Sequence, residues 1–144
     1  MKFKSRSDIF FQSILYGACL LLLYVLYVNL FLVAIELISY IMLAVLLPVI
    51  IFILGLLHGT SYELSTSFFS YKAAFLRGKI PLENIQELIV GETMWVGFKP
   101  ATARNGIIIK YNKGREIYIS PDSNETFVKK IIELNPQINI VDSK

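Results

Sequence analysis

A run of 49 residues with a single formal charge constrains this chain more than any other feature of its sequence. The run covers residues 9–57, and Glu36 is its only charged residue. A membrane-spanning helix needs about 20 apolar residues, whereas one helix of this length would extend about 73 Å across a hydrocarbon core of about 30 Å. We therefore expect two spanning helices, at about residues 10–32 and 38–57, with a tight turn near residues 34–39.

The basic residues beside this run predict the orientation of the two helices. Lys2, Lys4 and Arg6 precede the first helix, and the predicted turn contains no Lys or Arg. Because cytoplasmic loops carry an excess of these residues, we expect a multi-pass protein of the bacterial inner membrane with both termini in the cytoplasm. A secretory signal peptide is an alternative, but the apolar run is too long for one. Lipoprotein cleavage at Cys19 is another, although Tyr16 occupies a position where such sites usually have leucine.

The distribution of charge divides the chain into two parts. Of the 87 residues at positions 58–144, 20 are charged, which is typical of a soluble domain. We therefore predict that residues 1–57 form a basic segment and two transmembrane helices, and that residues 58–144 form a cytoplasmic domain. Only two or three residues separate the second helix from the first strand pattern, so the domain should lie against the membrane surface.

Alternating apolar and polar residues predict β-strands after the second helix. Tyr62 and Leu64 alternate with polar residues, and the same pattern recurs at residues 69–75. A turn or kink is expected at residues 77–79, where glycine lies between two cations. A further strand is expected at residues 86–91.

The stretch NGIIIKYNKGREIYIS predicts a β-hairpin. Two alternating strands flank residues 112–114, where Asn and Gly supply the left-handed conformations that a tight turn needs. The residues expected on the facing apolar sides are Ile107, Ile109, Tyr111, Ile117 and Ile119.

The period changes to that of an amphipathic helix after the hairpin. Ser120 is one candidate cap, with Pro121 at the first helical position; Asp122 and Glu125 can instead form a capping box. The expected apolar face comprises Phe127, Val128, Ile131, Ile132 and Leu134. The closing INIV is compatible with a short strand. Five or six antiparallel strands and this helix predict an α+β fold, a small barrel or curled sheet closed by a C-terminal helix.

Several segments resemble a known protein family. YEL, IPLENIQEL, IKYNKGREIYISP and the closing helix with NP are similar to segments of small bacterial PH-like domain proteins attached to one or two N-terminal membrane spans. This group includes the sublancin immunity protein, and the resemblance extends over nearly the whole chain, MKFKS included. It implies a PH-like fold in which two curled antiparallel sheets are capped by a helix. The shared motifs are structural, so the resemblance specifies the fold better than the function.

The sequence contains few of the residues that an enzyme needs. Its one histidine, His58, lies at the predicted membrane exit, and there is no Ser-His-Asp set, phosphate-cradling glycine motif or metal-ligand spacing. We therefore predict no enzymatic activity, no metal and no cofactor. The domain carries 11 basic and 9 acidic residues with interspersed signs, which argues against nucleic acid as a partner. A charge-driven hold on anionic lipid should likewise be weak, although Lys2, Lys4 and Arg6 can each add about 1 kcal/mol near an anionic leaflet.

The stretch WVGFKPATARNG, residues 95–106, interrupts two predicted strands and is longer than most loops. Trp and Arg are enriched where binding energy is concentrated, so Trp95, Lys99 and Arg104 are the candidate residues for contact with a partner or with lipid. The alternative is structural: Trp95 packs in the core or anchors at the headgroups, while Lys99 and Arg104 stay solvated.

Two functions follow from these patterns. The first is a membrane-tethered, non-catalytic binding module that contacts a membrane protein or lipid headgroups at the cytoplasmic face. Self-protection against a membrane-acting peptide is a specific version that the family resemblance implies. The alternative is an accessory subunit whose two helices pack against a transporter or channel.

Overall fold

The computed structural model describes residues 1–31 and 37–142, which form three α-helices, one short 3₁₀ turn and eight strands. The helices are α1 (Ile9–Phe31), α2 (Leu37–Gly59) and α3 (Asn124–Leu134), and the 3₁₀ turn is Leu82–Asn84. The strands are β1 (Lys2–Lys4), β2 (Ser61–Leu64), β3 (Phe68–Ala73), β4 (Leu76–Pro81), β5 (Ile85–Val90), β6 (Ile107–Tyr111), β7 (Arg115–Ile119) and β8 (Asn139–Asp142).

The two long helices agree closely with the spans expected from hydropathy. Both α1 and α2 have 23 residues and are long and apolar enough to cross a membrane. They contact each other, and most of their apolar side chains face outwards, with Cys19 and Ile50 among the few that are buried. Pro48 lies inside α2, and the helix continues through it. Glu36 and part of the predicted turn lie outside the described residues.

The first sheet has the strand order β1-β2-β3-β4, and every neighbouring pair is antiparallel. Strand β1 precedes the first long helix, whereas β2 follows the second, so the sheet joins segments from both ends of the helical pair. The N-terminal ammonium group donates to the carbonyl of Leu64. The basic segment that we had grouped with the helices is therefore also an edge strand of the domain sheet.

The second sheet has the order β7-β6-β5-β8. The β6–β7 hairpin has the predicted three-residue turn, with Asn112, Lys113 and Gly114 all at positive φ. Strand β8, at the predicted INIV stretch, pairs with β5 in parallel. The five or six antiparallel strands expected before the closing helix are present as β2 to β7. Strand β1, which comes from before the helices, and the parallel pairing of β8 were not expected.

One apolar core lies between the two sheets and α3. Its fully buried members include Phe69 from β3, Ile109 from β6, and Phe127 and Ile131 from α3. The N-cap of α3 is Ser123, whose hydroxyl accepts from the Thr126 amide. Both predicted caps were therefore wrong: the segment up to Ser123 is held in extended conformation by pairing with the N-terminal segment, as the bond from the Asp122 amide to the Lys4 carbonyl shows.

The predicted turn at residues 77–79 was also wrong. The chain reverses at Ala74, which has a positive φ, and at Phe75, while residues 77–79 belong to β4. Gly78 has another role: a Cβ there would collide with the Tyr71 hydroxyl that lies over it. The glycine serves close packing across the strand pair.

Candidate functional site

Both long helices join the domain at one place. The Ser5 amide, four residues before α1, donates to the carbonyl of Thr60, the residue after α2, over 3.3 Å. The Thr60 hydroxyl donates to the Leu56 carbonyl within the last turn of α2 at 2.7 Å. The domain ends of the two helices are therefore held side by side at the edge of the first sheet.

A cluster of hydroxyl groups surrounds the side chain of Ser5 at this junction. The Ser5 Oγ lies 3.0 Å from each of three oxygens, the hydroxyls of Tyr62, Thr102 and Ser120. The Tyr62 hydroxyl also donates to the Pro100 carbonyl at 2.6 Å. Burial raises the pKa of Tyr62, which keeps this phenol protonated as a donor. The cluster fixes the N-terminal segment against both sheets.

Arg104, in the connection between β5 and β6, contacts the residues at the beginning of α1. Its Nε contacts the Asp8 Oδ2 at 2.6 Å, and its guanidinium carbon lies 4.8 Å from the centre of the Phe10 ring. The hydrogen bond from Arg104 is the largest influence that lowers the pKa of Asp8, followed by the Phe10 amide that Asp8 caps. Arg104 therefore joins the long connection between β5 and β6 to the first turn of α1.

That long connection, residues 91–106, is bonded to the second sheet. The Tyr118 hydroxyl donates to the Ala103 carbonyl at 2.7 Å and accepts from the Gly106 amide at 2.9 Å. A Cβ at Gly106 would collide with the Ile119 carbonyl oxygen, which explains the glycine. Met94 packs with Ile108 and Tyr118 in a second, smaller apolar cluster. The connection between β5 and β6 thus covers part of the outer side of the second sheet.

Residues 95–99 of this connection form what we call the exposed arm. Trp95 is 68% exposed and Val96 is 85% exposed. The Lys99 Nζ donates to the Trp95 carbonyl at 3.1 Å, and the Phe98 ring centre lies 5.5 Å from that of Tyr71. Core packing of Trp95, one of our two structural alternatives, is therefore wrong, because buried Met94 occupies the position under the arm.

The β3–β4 turn is a second exposed apolar surface, and the sequence analysis missed it. Phe75 is 72% exposed, and its ring is stacked at 6.5 Å between centres on that of Phe52 in α2. Ala74 packs so closely on Gly55 that a Cβ there would lie 3.1 Å from the Ala74 Cβ. The alternation at residues 69–75 predicts Phe75 on the same half-buried strand face as Phe69, although the apolar AAFL at the expected strand end could have indicated an exposed turn.

The three predicted site residues thus fall in two places. Trp95 and Lys99 lie together on the exposed arm, whereas Arg104 is held by Asp8 at the start of α1. Their role in binding stays a prediction. His58 lies with its Nε2 at 3.3 Å from the Tyr16 hydroxyl. Within residues 1–31 and 37–142, no group of three or more His, Cys, Asp or Glu side chains is placed to hold a metal ion.

Comparison with known proteins supports the PH-like fold. Residues 60–135, just over half of the chain, match the family described as bacterial PH domain. A relative from Bacillus subtilis (strain 168), described as uncharacterized protein YyaB, is 34% identical over 80 residues. That alignment covers 55% of this chain and 55% of the relative, so the chain spans about half the length of the relative that it matches. No solved structure matches the chain significantly.

Proposed function

The chain belongs to the bacterial PH domain family, and we propose on this basis that it is a non-catalytic binding module tethered to a membrane by α1 and α2. The observation that carries the proposal is the junction at Ser5 and Thr60, where the domain ends of both apolar helices meet one sheet. If both helices cross a bilayer, this junction places the N-terminus and the domain on the same side of it. The domain would have no linker with which to leave the membrane surface.

The basic flanks favour the cytoplasmic side of a bacterial inner membrane. Lys2, Lys4 and Arg6 all precede α1 and lie on the domain side of the helices. Reporters fused before Met1 and after the last residue of the full-length protein should therefore both give cytoplasmic signals. A periplasmic signal from the C-terminal fusion would contradict the proposed topology.

The exposed arm is the surface that we propose for contact with a membrane-protein partner or with headgroups. An exposed tryptophan beside a lysine is compatible with either contact. The indole ring is enriched at protein interfaces and at the membrane–water interface, and the lysine ammonium attracts anionic groups. Arg104 is a weaker candidate than it was from sequence alone, since its guanidinium is already paired with Asp8. We expect Arg104 to orient α1 against the domain.

Photo-crosslinking in native membranes tests this surface. A crosslinking residue at Val96 should capture a defined membrane protein or lipid, whereas the same residue at Lys113, in the exposed β6–β7 turn, should not. Trp95→Ala and Lys99→Ala should each lower the yield at Val96 by about fivefold or more, a loss typical of important interface residues. The melting temperature should hardly change, because both side chains are exposed. Unchanged crosslinking yields in both variants would contradict the proposed binding surface, and the arm would then only cover the second sheet.

The alternative function, an accessory subunit that acts through its helices, is distinguished by a graft. Since β1 precedes α1, the graft must place residues 1–8 before, and residues 60–142 after, an unrelated helical hairpin. A binding module should keep its crosslinked partner in this chimera, whereas a helix-dependent subunit should lose it. Self-protection against a membrane-acting peptide is the narrower proposal that rests on the family resemblance. Survival of sensitive cells that express the chain tests it.

A further inference from the structure

The outer face of the first sheet carries two rows of polar side chains that run across the strands. The strand register defines the row nearer to the helices as Lys4, Ser61, Lys72 and Arg77. It defines the second row as Lys2, Glu63, Ser70 and Lys79. Their neighbours along each strand point inwards, as the buried Phe3, Tyr62 and Ile80 show. The outer face therefore holds five cations and one carboxylate.

Within the part of the chain that the structure describes, the five cations of this face outnumber its one carboxylate, Glu63, which lies opposite Lys2. All five cations are exposed, and none of them takes part in the ion pairs found there. Lys72 lies directly opposite Arg77, an arrangement that destabilises a sheet through repulsion. The Lys79 Nζ lies over the face of the Phe68 ring, 4.8 Å from its centre. An anion bound here would relieve the repulsion.

The position of the row nearer to the helices matches the headgroup level of a bilayer crossed by α2. Phe52, on which Phe75 stacks, lies seven residues before the end of α2, or about 10 Å along its axis. The β3–β4 turn thus reaches the depth of apolar helix surface. Arg77 follows Phe75 by two residues, at most about 7 Å along the strand, and Lys72 is paired with it. Long cationic side chains at this depth extend towards the phosphates.

A shallow cleft of about 540 Å³ lies on this face. Its charged and hydroxyl-bearing lining consists of four of the cations, one carboxylate and two serines: Lys2, Lys72, Arg77, Lys79, Glu63, Ser61 and Ser70. Guanidinium and ammonium groups bind phosphate oxygens through charge-assisted hydrogen bonds, and serine hydroxyls can donate to the same oxygens. The volume lies in the range of small-molecule sites, which suits a headgroup.

From these observations we propose that the outer face of the first sheet binds the phosphate groups of anionic phospholipids in the membrane that holds the helices. This site rests on the proposed membrane tether. It reverses our expectation from composition that charge would contribute little to lipid contact. Composition averages the cations of this face with carboxylates that lie elsewhere, and it does not show that Lys2 and Lys4 share the face with Lys72, Arg77 and Lys79.

The test uses the full-length protein reconstituted into bilayers of equal parts phosphatidylglycerol and phosphatidylcholine. Electron spin resonance with spin-labelled lipids of each type measures which lipid associates with the protein. The wild type should prefer phosphatidylglycerol, and Lys72→Gln combined with Arg77→Gln should lower this preference by about tenfold. Salt at about 1 M should also reduce it, since the screening length falls to about 3 Å.

The matched control is Lys113→Gln combined with Arg115→Gln, which removes the same charge from the β6–β7 hairpin. Both residues are exposed and lie at the end of that hairpin away from the helices, so the lipid preference should equal that of the wild type. Equal preference in the wild type and in the variant of Lys72 and Arg77 would overturn the lipid site while leaving the tether intact. Failure of the wild type to float with the bilayers would contradict the tether, and the site with it.

Discussion

The charged side chains on the outer faces of the two sheets are arranged in opposite ways. In the second sheet, Glu87, Lys110 and Glu116 lie side by side across three strands, so their signs alternate. The Lys110 Nζ lies 2.8 Å from Glu87 Oε1, and this bond lowers the pKa of Glu87 and raises that of Lys110. In the first sheet, Lys72 and Arg77 occupy neighbouring strands without a carboxylate in their row.

The apolar parts of the two outer faces differ as well. Ile89, Ile108 and Tyr118 form a row on the second sheet, and Met94 of the long connection packs against them. The described residues place no comparable cover over the outer face of the first sheet. The outer face of the second sheet is thus covered and paired by residues of this chain, whereas the cations on the outer face of the first sheet are exposed.

The largest effects are expected where the two sheets share their core. Phe3→Ala in β1 should destabilise the domain by about 3 to 5 kcal/mol, and Ile109→Ala in β6 by about 2 to 5 kcal/mol, because each empties a buried site. The Phe3 ring packs edge-on against Phe127 of α3 at 5.3 Å. Both variants should lower one common unfolding transition of the full-length protein, measured by circular dichroism in detergent micelles.

Exposed neighbours on the same elements provide the controls. Lys2→Ala in β1 and Lys113→Ala in the β6–β7 turn should each change the stability by no more than about 0.5 kcal/mol. If Phe3→Ala behaved like Lys2→Ala, the N-terminal segment would not be part of the domain. Two separate transitions would show that the sheets do not share one cooperative core.

A smaller effect on the melting temperature is expected when the pH is lowered. This effect should distinguish the outer face of the second sheet from that of the first. Glu87 has the ordinary carboxyl pKa of 4.5 in the unfolded chain and a lower pKa in the folded protein, so folded Glu87 takes up a proton only in the range below 4.5. The stability contributed by its bond to Lys110 is present above this range and is lost as the pH falls through the folded-state pKa. Lysine and arginine side chains in general do not titrate between neutral pH and about pH 3. Glu87→Gln should therefore flatten the pH dependence of the melting temperature between neutral pH and about pH 3, whereas Lys72→Gln should not.

Some acid dependence should persist in Glu87→Gln. Asp8 and Glu133 also have lowered pKa values, through hydrogen bonds from Arg104 and Lys130 respectively. The variant must therefore be compared with the wild type over the whole pH range. Identical profiles for the wild type and Glu87→Gln would mean that the Glu87–Lys110 pair contributes no stability in solution.

Features that depend on neighbours in sequence were predicted well. The long helices, the β6–β7 hairpin and the C-terminal helix each follow from a local pattern of hydropathy or from turn residues such as Asn112 and Gly114. The candidate site was predicted only in part. Length and composition identified residues 95–106 as unusual, but they left open whether Trp95 lies in the core or at the surface, because that depends on Met94, which is buried beneath the arm.

The errors concern features that depend on distant contacts. Gly78 between two cations is typical of a turn, yet its lack of a side chain serves the Tyr71 ring on the neighbouring strand. Phe75 fits the alternation of a buried strand face, but the chain reverses one residue earlier, at Ala74, and Phe75 packs on α2. Spacing along one segment cannot distinguish these cases, because each depends on a side chain from another element.

The sequence by itself determined that two apolar helices precede an α+β domain, since the free energy of burying apolar side chains acts through local periodicity. Only the tertiary structure decided which charges share a surface. Lys4 and Lys72 are separated by both long helices in the chain, and they lie in one row because β1 and β3 flank β2 in register. Strand pairing between distant segments leaves no periodic signal in the sequence, so a basic face assembled in this way becomes visible only in the folded chain.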